Sequence, residues 1–547
     1  MLRRATALLL PLTVLMACVI SACGTGNKQP AGTATASAPA VNKEATGEAV
    51  ADTRLSATGE TLSFAVIDMG ADGPSYNDDN IPIMMELEKQ TGVKIKFEAV
   101  FNDYSNIMRT RIAAASNLPD IMQLPQGDDP VKIAKDGIIL RLNDLIDQHA
   151  PNTKAFLDAN PDVKKTLTAP DGSIYAFPGV VSVAGSDFNV HALGYRLDWV
   201  EKLNLKEPQT IEDWYHMLLA FRDGDPNGNG KADEIPLVAD GIDALDKFAQ
   251  AYGMTPKSAW FAVDEQGKVE YTWTNPKAKD YLTEMNKWWQ EKLIDEGLLT
   301  KHGDKVMAYV VGDLTGGFMI WAQRFDQYTK EMKKNFPDAQ WAVAVPPLGP
   351  HGDQFYEINP ATDGNRFAIS KDAKNPELAI KWLDYLFASE QGQLLFNYGI
   401  EGVTYTMVDG KPQYTEEITN NPKYPNPAMA LGSYGSYGRF PQIVTREALS
   451  EQSGILMPEA SIKRLQGIKE YYRSTFPSVM STPEESSSYS RLMADINTYR
   501  EEMVAKFITG AEPLSNFDKF VQTLKTMGID DVVKIKQAQY DRWISIK

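Results

Sequence analysis

Residues Val93–Val100 read Val-Lys-Ile-Lys-Phe-Glu-Ala-Val, an alternation that puts apolar side chains on one face and polar ones on the other. That is the period of a half-buried strand. An apolar run at Leu62–Ile67 precedes it, and Asn80–Gln90, between the two, has helical spacing. Tyr104–Asn117 returns to helical spacing, and Asp120–Leu124 is a third short apolar run. Strand, helix, strand, helix, strand predicts a parallel sheet covered by helices. On such sheets ligands bind at the carboxyl ends of the strands, which directs attention to the loop after Leu124.

The pattern recurs further on. Thr210-Ile211-Glu212-Asp213 is close to a capping box and opens an amphipathic helix to Phe221. Asn375-Pro376-Glu377 caps another, whose stripe of Leu378, Trp382, Leu383, Leu386 and Phe387 belongs in a core. Gly317–Trp321 is apolar and reads as a strand running into a loop. The sequence has no internal repeat, and 547 residues exceed what one core usually serves.

The N-terminus follows different rules. Arg3 and Arg4 precede an apolar stretch from Ala5 to Ile20, and Ser21 and Ala22 come just before Cys23. This is the layout of a secretory signal peptide, residues 1–22. Ile20-Ser21-Ala22-Cys23 resembles the lipobox of bacterial lipoproteins, in which the cysteine is lipidated; Leu15-Met16-Ala17-Cys18 is a weaker rival, because it shortens the apolar run. The other reading is an uncleaved anchor, since the run is just long enough to span a membrane. Residues 24–58 are rich in Gly, Ala, Thr, Ser and Pro and contain no aromatic residue. With too little apolar surface to fold, they form a flexible tether with a reach of roughly 30–35 Å.

Composition narrows the options. Hydrophobic residues are 43% and charged residues 23%, as in soluble globular proteins. The formal net charge of −17 repels a phosphate backbone and argues against general nucleic-acid binding. Cys18 and Cys23 are the only cysteines, so the folded body has neither disulfides nor thiolate metal sites. Five scattered histidines show no helical pairing for zinc. No Gly-x-Ser-x-Gly elbow, Walker-type phosphate loop or dinucleotide fingerprint is present. Carboxylates are too numerous for counting alone to exclude a glycosidase pair.

Four stretches carry a family resemblance: Asn117-Leu118-Pro119-Asp120-Ile121-Met122, Asp171-Gly172-Ser173-Ile174-Tyr175-Ala176-Phe177-Pro178, Leu193-Gly194-Tyr195-Arg196-Leu197-Asp198-Trp199 and Asn397-Tyr398-Gly399-Ile400-Glu401-Gly402. In this order the chain resembles family 1 extracellular solute-binding proteins, of the maltose-binding-protein-like clan. It looks most like the large lipoprotein branch that includes alginate-oligosaccharide binders. The resemblance implies a class II periplasmic-binding-protein-like α/β fold, with ligand enclosed between two lobes. It places crossings near Pro178–Ala184, Pro346–Asn365 and Asn397–Thr406. Lobe 1 is then 60–180 with 360–400, lobe 2 is 185–345 with 405–547, and residues 23–59 are the lipidated cysteine and tether.

The function implied is a monomeric, non-enzymatic binding component of an ABC-type importer. It would be held on the extracytoplasmic face of the membrane by lipid alone and would pass an oligosaccharide to permease subunits. A secreted carbohydrate-active enzyme and a sensor subunit presenting ligand to a membrane kinase are the alternatives.

Candidate chemistry is concentrated in a few places. Asp225, Asn227, Asn229 and Asp233 fall at positions one, three, five and nine of an EF-hand-like loop, with Gly230 at six and the carbonyl of Lys231 at seven. Position twelve is Pro236, so the usual bidentate glutamate is missing. In the resembling lipoproteins an adjacent acidic pair completes a structural Ca2+ site, here Asp233 and Glu234. The bland alternative is a polar turn. Flat rings suit the apolar C–H faces of sugars, and ten tryptophans are available. The resemblance sets Trp321 at a strand end facing the cleft, where ordinary core is the alternative. Tyr434, Tyr437 and Arg439 lie in a glycine-rich stretch that lines the cleft or forms a surface loop. Gln126, Asp128 and Asp129 follow the third strand, where a solvated turn is the common reading. Arg366 and Glu401 flank the inferred crossings.

Overall fold

The computed structural model describes residues 54–70, 73–182, 190–300, 303–322, 324–358, 365–424, 427–436, 440–444 and 457–546. The signal segment, Cys23 and most of the tether lie outside them, as do parts of the first two inferred crossings. In chain order the strands are β1 (Thr61–Ile67), β2 (Lys94–Val100), β3 (Ile121–Gln123), β4 (Phe177–Pro178), β5 (Val180–Ser182), β6 (His191–Arg196), β7 (Ile235–Leu237), β8 (Phe261–Val263), β9 (Val269–Tyr271), β10 (Thr315–Trp321), β11 (Trp341–Val343), β12 (Tyr356–Glu357), β13 (Arg366–Ile369), β14 (Tyr405–Val408), β15 (Lys411–Tyr414), β16 (Gln442–Val444) and β17 (Tyr472–Arg473).

Two sheets organise the chain from residue 54 onward. The first has the order β2-β1-β3-β13-β4. β1 is parallel to β2 and β3, as the alternating opening predicts, whereas β13 joins antiparallel after a long excursion. Its core includes Leu62, Phe64, Ile83, Leu87, Ile121 and the stripe Leu378–Trp382–Leu383–Leu386–Phe387. The helix Pro376–Ala388 bears that stripe, and Asn375 caps it through Leu378 N–H at 3.0 Å.

The second sheet has the order β11-β6-β10-β7. β10 is parallel to β7 and antiparallel to β6, so Trp321 at its carboxyl end faces His191 at the start of β6. A core of Trp199, Trp214, Phe221, Phe248, Trp288 and Phe507 packs beneath. The helices Pro276–Gln290 and Pro483–Thr509 contribute to it. Arg196 is buried at the end of β6, where Asp198 (2.6 Å) and Asp313 neutralise it. Its guanidinium lies 4.7 Å from the Trp199 ring. A buried guanidinium is tolerable only with such pairing.

The capping box at Thr210 forms in full. Thr210 Oγ1 accepts from Asp213 N–H at 3.0 Å, and Asp213 accepts from Thr210 N–H at 2.9 Å. Thr210→Ala therefore costs about 1 kcal/mol. The urea midpoint should fall with an unchanged slope; an unmoved midpoint would show that the helix gains nothing from this cap.

One inferred boundary moves. The segment from 405 was placed with the second lobe, but as far as 444 it packs with the first sheet. Phe440 and Ile443 lie in the first core, and β16 pairs in parallel with β5. Asn397–Thr406 is likewise no crossing: Asn397 Nδ2 donates to Ile443 O, and Tyr414 Oη donates to Asn397 O. Met457, the next described residue beyond 444, packs in a core of the second body. From 405 onward the described residues thus belong to the first body up to 444 and to the second from 457. Among the described residues no helix is long and apolar enough to cross a membrane.

Candidate functional site

β1, β2 and β3 end together because their register is parallel, and their carboxyl ends form one edge. Here Asp68 is buried and fully used, accepting from Met69 N–H, Ser75 Oγ and Tyr76 N–H. Gln123 locks β3 by accepting from Ile67 N–H at 3.0 Å and donating to Asn365 Oδ1 at 3.2 Å. Arg366 starts β13 at this edge; its carbonyl accepts from Leu124 N–H, and its Nη1 donates to Asn365 O at 2.8 Å. The loop residues are tied into local structure. Asp128 pairs with Arg109 at 3.0 Å, Arg109 also donates to Gln126 O, and Asp129 caps the helix Pro130–Lys135 through Val131 N–H at 2.9 Å.

The edge also holds a residue that pattern reading passed over. Phe101, just past β2, is 52% exposed. Its ring lies over Gly70, where an added Cβ would come within 2.3 Å of it. An aromatic residue directly after the last position of an alternating strand was the available signal.

Trp321 is half-buried. The His191 ring meets it edge-on at 3.9 Å between centroids, and Lys257 Nζ is 6.0 Å from the indole. Lys247, on the helix Asp246–Gln250, is 2% exposed, with Nζ 6.0 Å from the Tyr356 ring. Burial pushes Lys247 down to about 7, with Lys257 the next cause. Burial also lowers Lys257. His191 is pushed down to about 4 by burial and then by Lys257, Lys247 and Arg324. In the sequence Lys247 stands beside Asp246 in Leu245–Met254, a stretch otherwise rich in apolar residues.

Tyr434 and Glu401 are held by local contacts. Tyr434 donates to Glu417 Oε1 at 3.0 Å, and its carbonyl accepts from Ile83 N–H. Glu401 is exposed and bridges to Tyr405. Tyr437 and Arg439 lie outside the described residues.

The loop Asp225–Glu234 hangs on the second sheet. Lys202 Nζ donates to Pro226 O at 2.6 Å, and Asn227 Nδ2 donates to Asp313 O at 3.2 Å. Inside it, Asp225 Oδ2 accepts from Gly230 N–H, Asn227 Oδ1 from Asn229 N–H, and Asn229 Oδ1 from Lys231 N–H. Gly228 and Gly230, at φ +73° and +74°, allow the tight path. Asp225 Oδ1 and both Glu234 carboxylate oxygens are buried with no hydrogen-bond partner among the described residues. Burial raises the Glu234 carboxyl, and Asp225 and Asp233 raise it further. Three orphaned oxygens beside other carboxylates fit a cation. Among the described residues no three His, Cys, Asp or Glu side chains converge as a metal cluster, so a cation here would draw on asparagine and carbonyl oxygens too.

Comparison with known proteins agrees with this architecture. The model of the bacterial extracellular solute-binding protein family matches residues 81–393, and that of a domain of unknown function matches residues 484–545. The fructooligosaccharide ABC transporter substrate-binding protein FusA of Streptococcus pneumoniae is 29% identical over 96% of each chain. Its structure in complex with kestose superposes with a TM-score of 0.72 at 26% identity, covering 89% of this chain and 100% of FusA. FusA is also known as an EF-hand mutant in complex with fructo-nystose, again at a TM-score of 0.72. The alginate-binding protein AlgQ2, solved without calcium ion, gives 0.72 at 26% identity over 89% of this chain and 99% of its own. Lipoprotein LipO of Bacillus subtilis is 23% identical over 84% of this chain and 89% of its own.

Proposed function

The chain belongs to the bacterial extracellular solute-binding protein family, and from that premise we propose that it captures an oligosaccharide between its two lobes and delivers it to an ABC permease. The observation that carries this reading is Trp321. Its indole is half-buried at the carboxyl end of β10, against His191 and near Lys257, and no described core includes it. A ring so placed offers a flat apolar face framed by donors, which is what a sugar ring requires. Phe101 offers a second exposed ring on the first sheet. FusA and AlgQ2, named for binding fructooligosaccharide and alginate, support the ligand class. Closure of the lobes about the crossings traps the sugar without chemical change.

Calcium occupies the loop Asp225–Glu234 in a structural role. Asp225, Asn227, Asn229, Asp233, Glu234 and the Lys231 carbonyl hold it, and the cation supplies the positive charge those carboxylates lack. AlgQ2 without calcium ion and the EF-hand mutant of FusA support this assignment.

The mature protein is a monomer tethered through lipidated Cys23 on the extracytoplasmic face, a reading that lipoprotein LipO supports. Cys23→Ala should lose lipid labelling and leave the membrane fraction, whereas Cys18→Ala should behave as wild type. Lipid label retained on the Cys23→Ala protein would refute the anchor. The reading as a whole is tested by titrating the full chain with an oligosaccharide panel. Saturable binding of intact sugar is expected, and cleavage products would point to an enzyme instead.

A further inference from the structure

The turn Pro256–Ser258, which brings Lys257 to the Trp321 indole, runs into strained backbone. Ala259 and Trp260 stand side by side in the left-handed region, at φ +53° and +70°, and neither is a glycine. A bulky residue keeps such a conformation only where its surroundings over-determine it. Here they do. Trp260 N–H donates to Thr255 O at 2.8 Å, and Trp260 O accepts from Thr272 N–H at 2.8 Å and from Thr272 Oγ1 at 3.1 Å. The Trp260 ring is buried, 5.0 Å from the Trp273 ring and 5.5 Å from the Arg500 guanidinium.

A buried carboxylate holds the same turn from its other side. Glu357, on β12, is fully buried and accepts from Lys257 N–H at 2.8 Å, from Ser258 Oγ at 2.6 Å and from Thr475 Oγ1. Its own N–H donates to Gln250 Oε1 at 3.2 Å, and β12 is fixed by parallel pairing with β17. Both carboxylate oxygens are thus taken up in clamping the backbone and two hydroxyls. The Lys257 side chain is half-buried, and among the described residues no hydrogen bond or ion pair reaches its Nζ, which lies 6.0 Å from the Trp321 ring. Burial lowers this ammonium, and the charge of Glu357 raises it, so the same carboxylate that clamps the turn favours the charged lysine.

We propose that Lys257 contacts the captured sugar, donating to a hydroxyl or ring oxygen at the rim of the unit stacked on Trp321, and that Glu357 is the positioning residue that holds it there through the turn. This deepens the reading above and rests on it. An ammonium beside a flat ring supplies N–H donors at the edge of an apolar face, which is the pairing a sugar presents. A free lysine would lose much rotamer freedom on binding. One confined by burial and by a clamped backbone loses less, so the contact is preorganised. The strained pair Ala259–Trp260 turns the chain so that Lys257 meets the carboxyl end of β10, and the Glu357 clamp offsets that strain.

The test is calorimetric titration of the full chain with a panel of neutral and uronic tri- and tetrasaccharides, the tightest binder serving as probe, beside thermal melting of every variant. Lys257→Met should weaken binding of the probe about 10-fold, the worth of one charge-assisted hydrogen bond, with little change in melting temperature. Glu357→Gln, which keeps the side-chain shape, should weaken it about 3- to 10-fold. In a Lys257→Met background Glu357→Gln should add no further loss, because its effect on affinity runs through Lys257. Ser258→Ala releases one bond of the clamp and obeys the same rule, which keeps the test open should Glu357→Gln fold poorly. A lower melting temperature with unchanged affinity would make Glu357 a stabilising residue only and overturn the inference. Losses that add, or a Lys257→Met variant that binds like wild type, would overturn it too and leave capture at Trp321 standing. If the unaltered chain binds no sugar of the panel, the reading on which the inference rests falls instead.

Discussion

Trp321→Ala should weaken oligosaccharide binding by roughly 10- to 150-fold while leaving the melting temperature near that of wild type. Burying a large aromatic face against ligand is worth on the order of 1.5–3 kcal/mol, and each 1.4 kcal/mol is a factor of ten. The ring is half-buried and belongs to no described core, so its removal opens no closed cavity. Trp321→Phe should recover part of the affinity, because a smaller flat face remains. The competing outcome is equally definite. If the indole were packing the end of β10, the alanine variant would lose about 3–5 kcal/mol of stability and bind normally where folded. Titration and thermal melting of the same preparations separate the two results.

Chelating divalent cations should lower the melting temperature of the whole chain. A cation that binds only the native state stabilises it by about 2.7 kcal/mol when present at a hundredfold excess over its dissociation constant. The effect has a structural source in Asp225 Oδ1 and the two Glu234 oxygens, which are buried without partners. Without a cation, the like charges of Asp225, Asp233 and Glu234 oppose one another across a loop pinned to Lys202 and Asp313. Asp225→Ala should start from a lower melting temperature and no longer respond to chelator. Identical melting curves with and without chelator, together with elemental analysis finding no calcium, would refute the site.

Much of the fold could be read from local pattern, because local physics decides it. The alternation at Val93–Val100, the helix between it and the Leu62–Ile67 run, and the short apolar run ending at Leu124 fix three parallel strands, since each element states its own buried face. Thr210 and Asn375 announce their helices through caps that are local by nature. The end of β10 was legible for the same reason.

What escaped the sequence depends on contacts between distant segments. Nothing in Phe440–Val444 shows that it pairs with β5 and completes the first core, so the lobe boundary near 405 was misplaced. Gln126, Asp128 and Asp129 stand where polar ligand groups belong on a parallel sheet, yet Arg109 and a helix N-terminus engage them. The reverse holds for Lys247. Its setting is assembled out of Tyr356, Glu357, Lys257 and His191, which lie on three separate segments, and no spacing rule encodes that.

Capture leaves the sugar chemically unchanged, and recovery of the ligand after binding shows whether it does. The full chain is titrated calorimetrically with a panel of oligosaccharides, and each ligand is then recovered and chromatographed. Saturable binding of at least one oligosaccharide is expected, lost or sharply weakened in Trp321→Ala, with the recovered sugar unchanged in length and composition. Shortened or modified sugar after incubation, or a bound sugar whose affinity ignores the loss of Trp321, would contradict it.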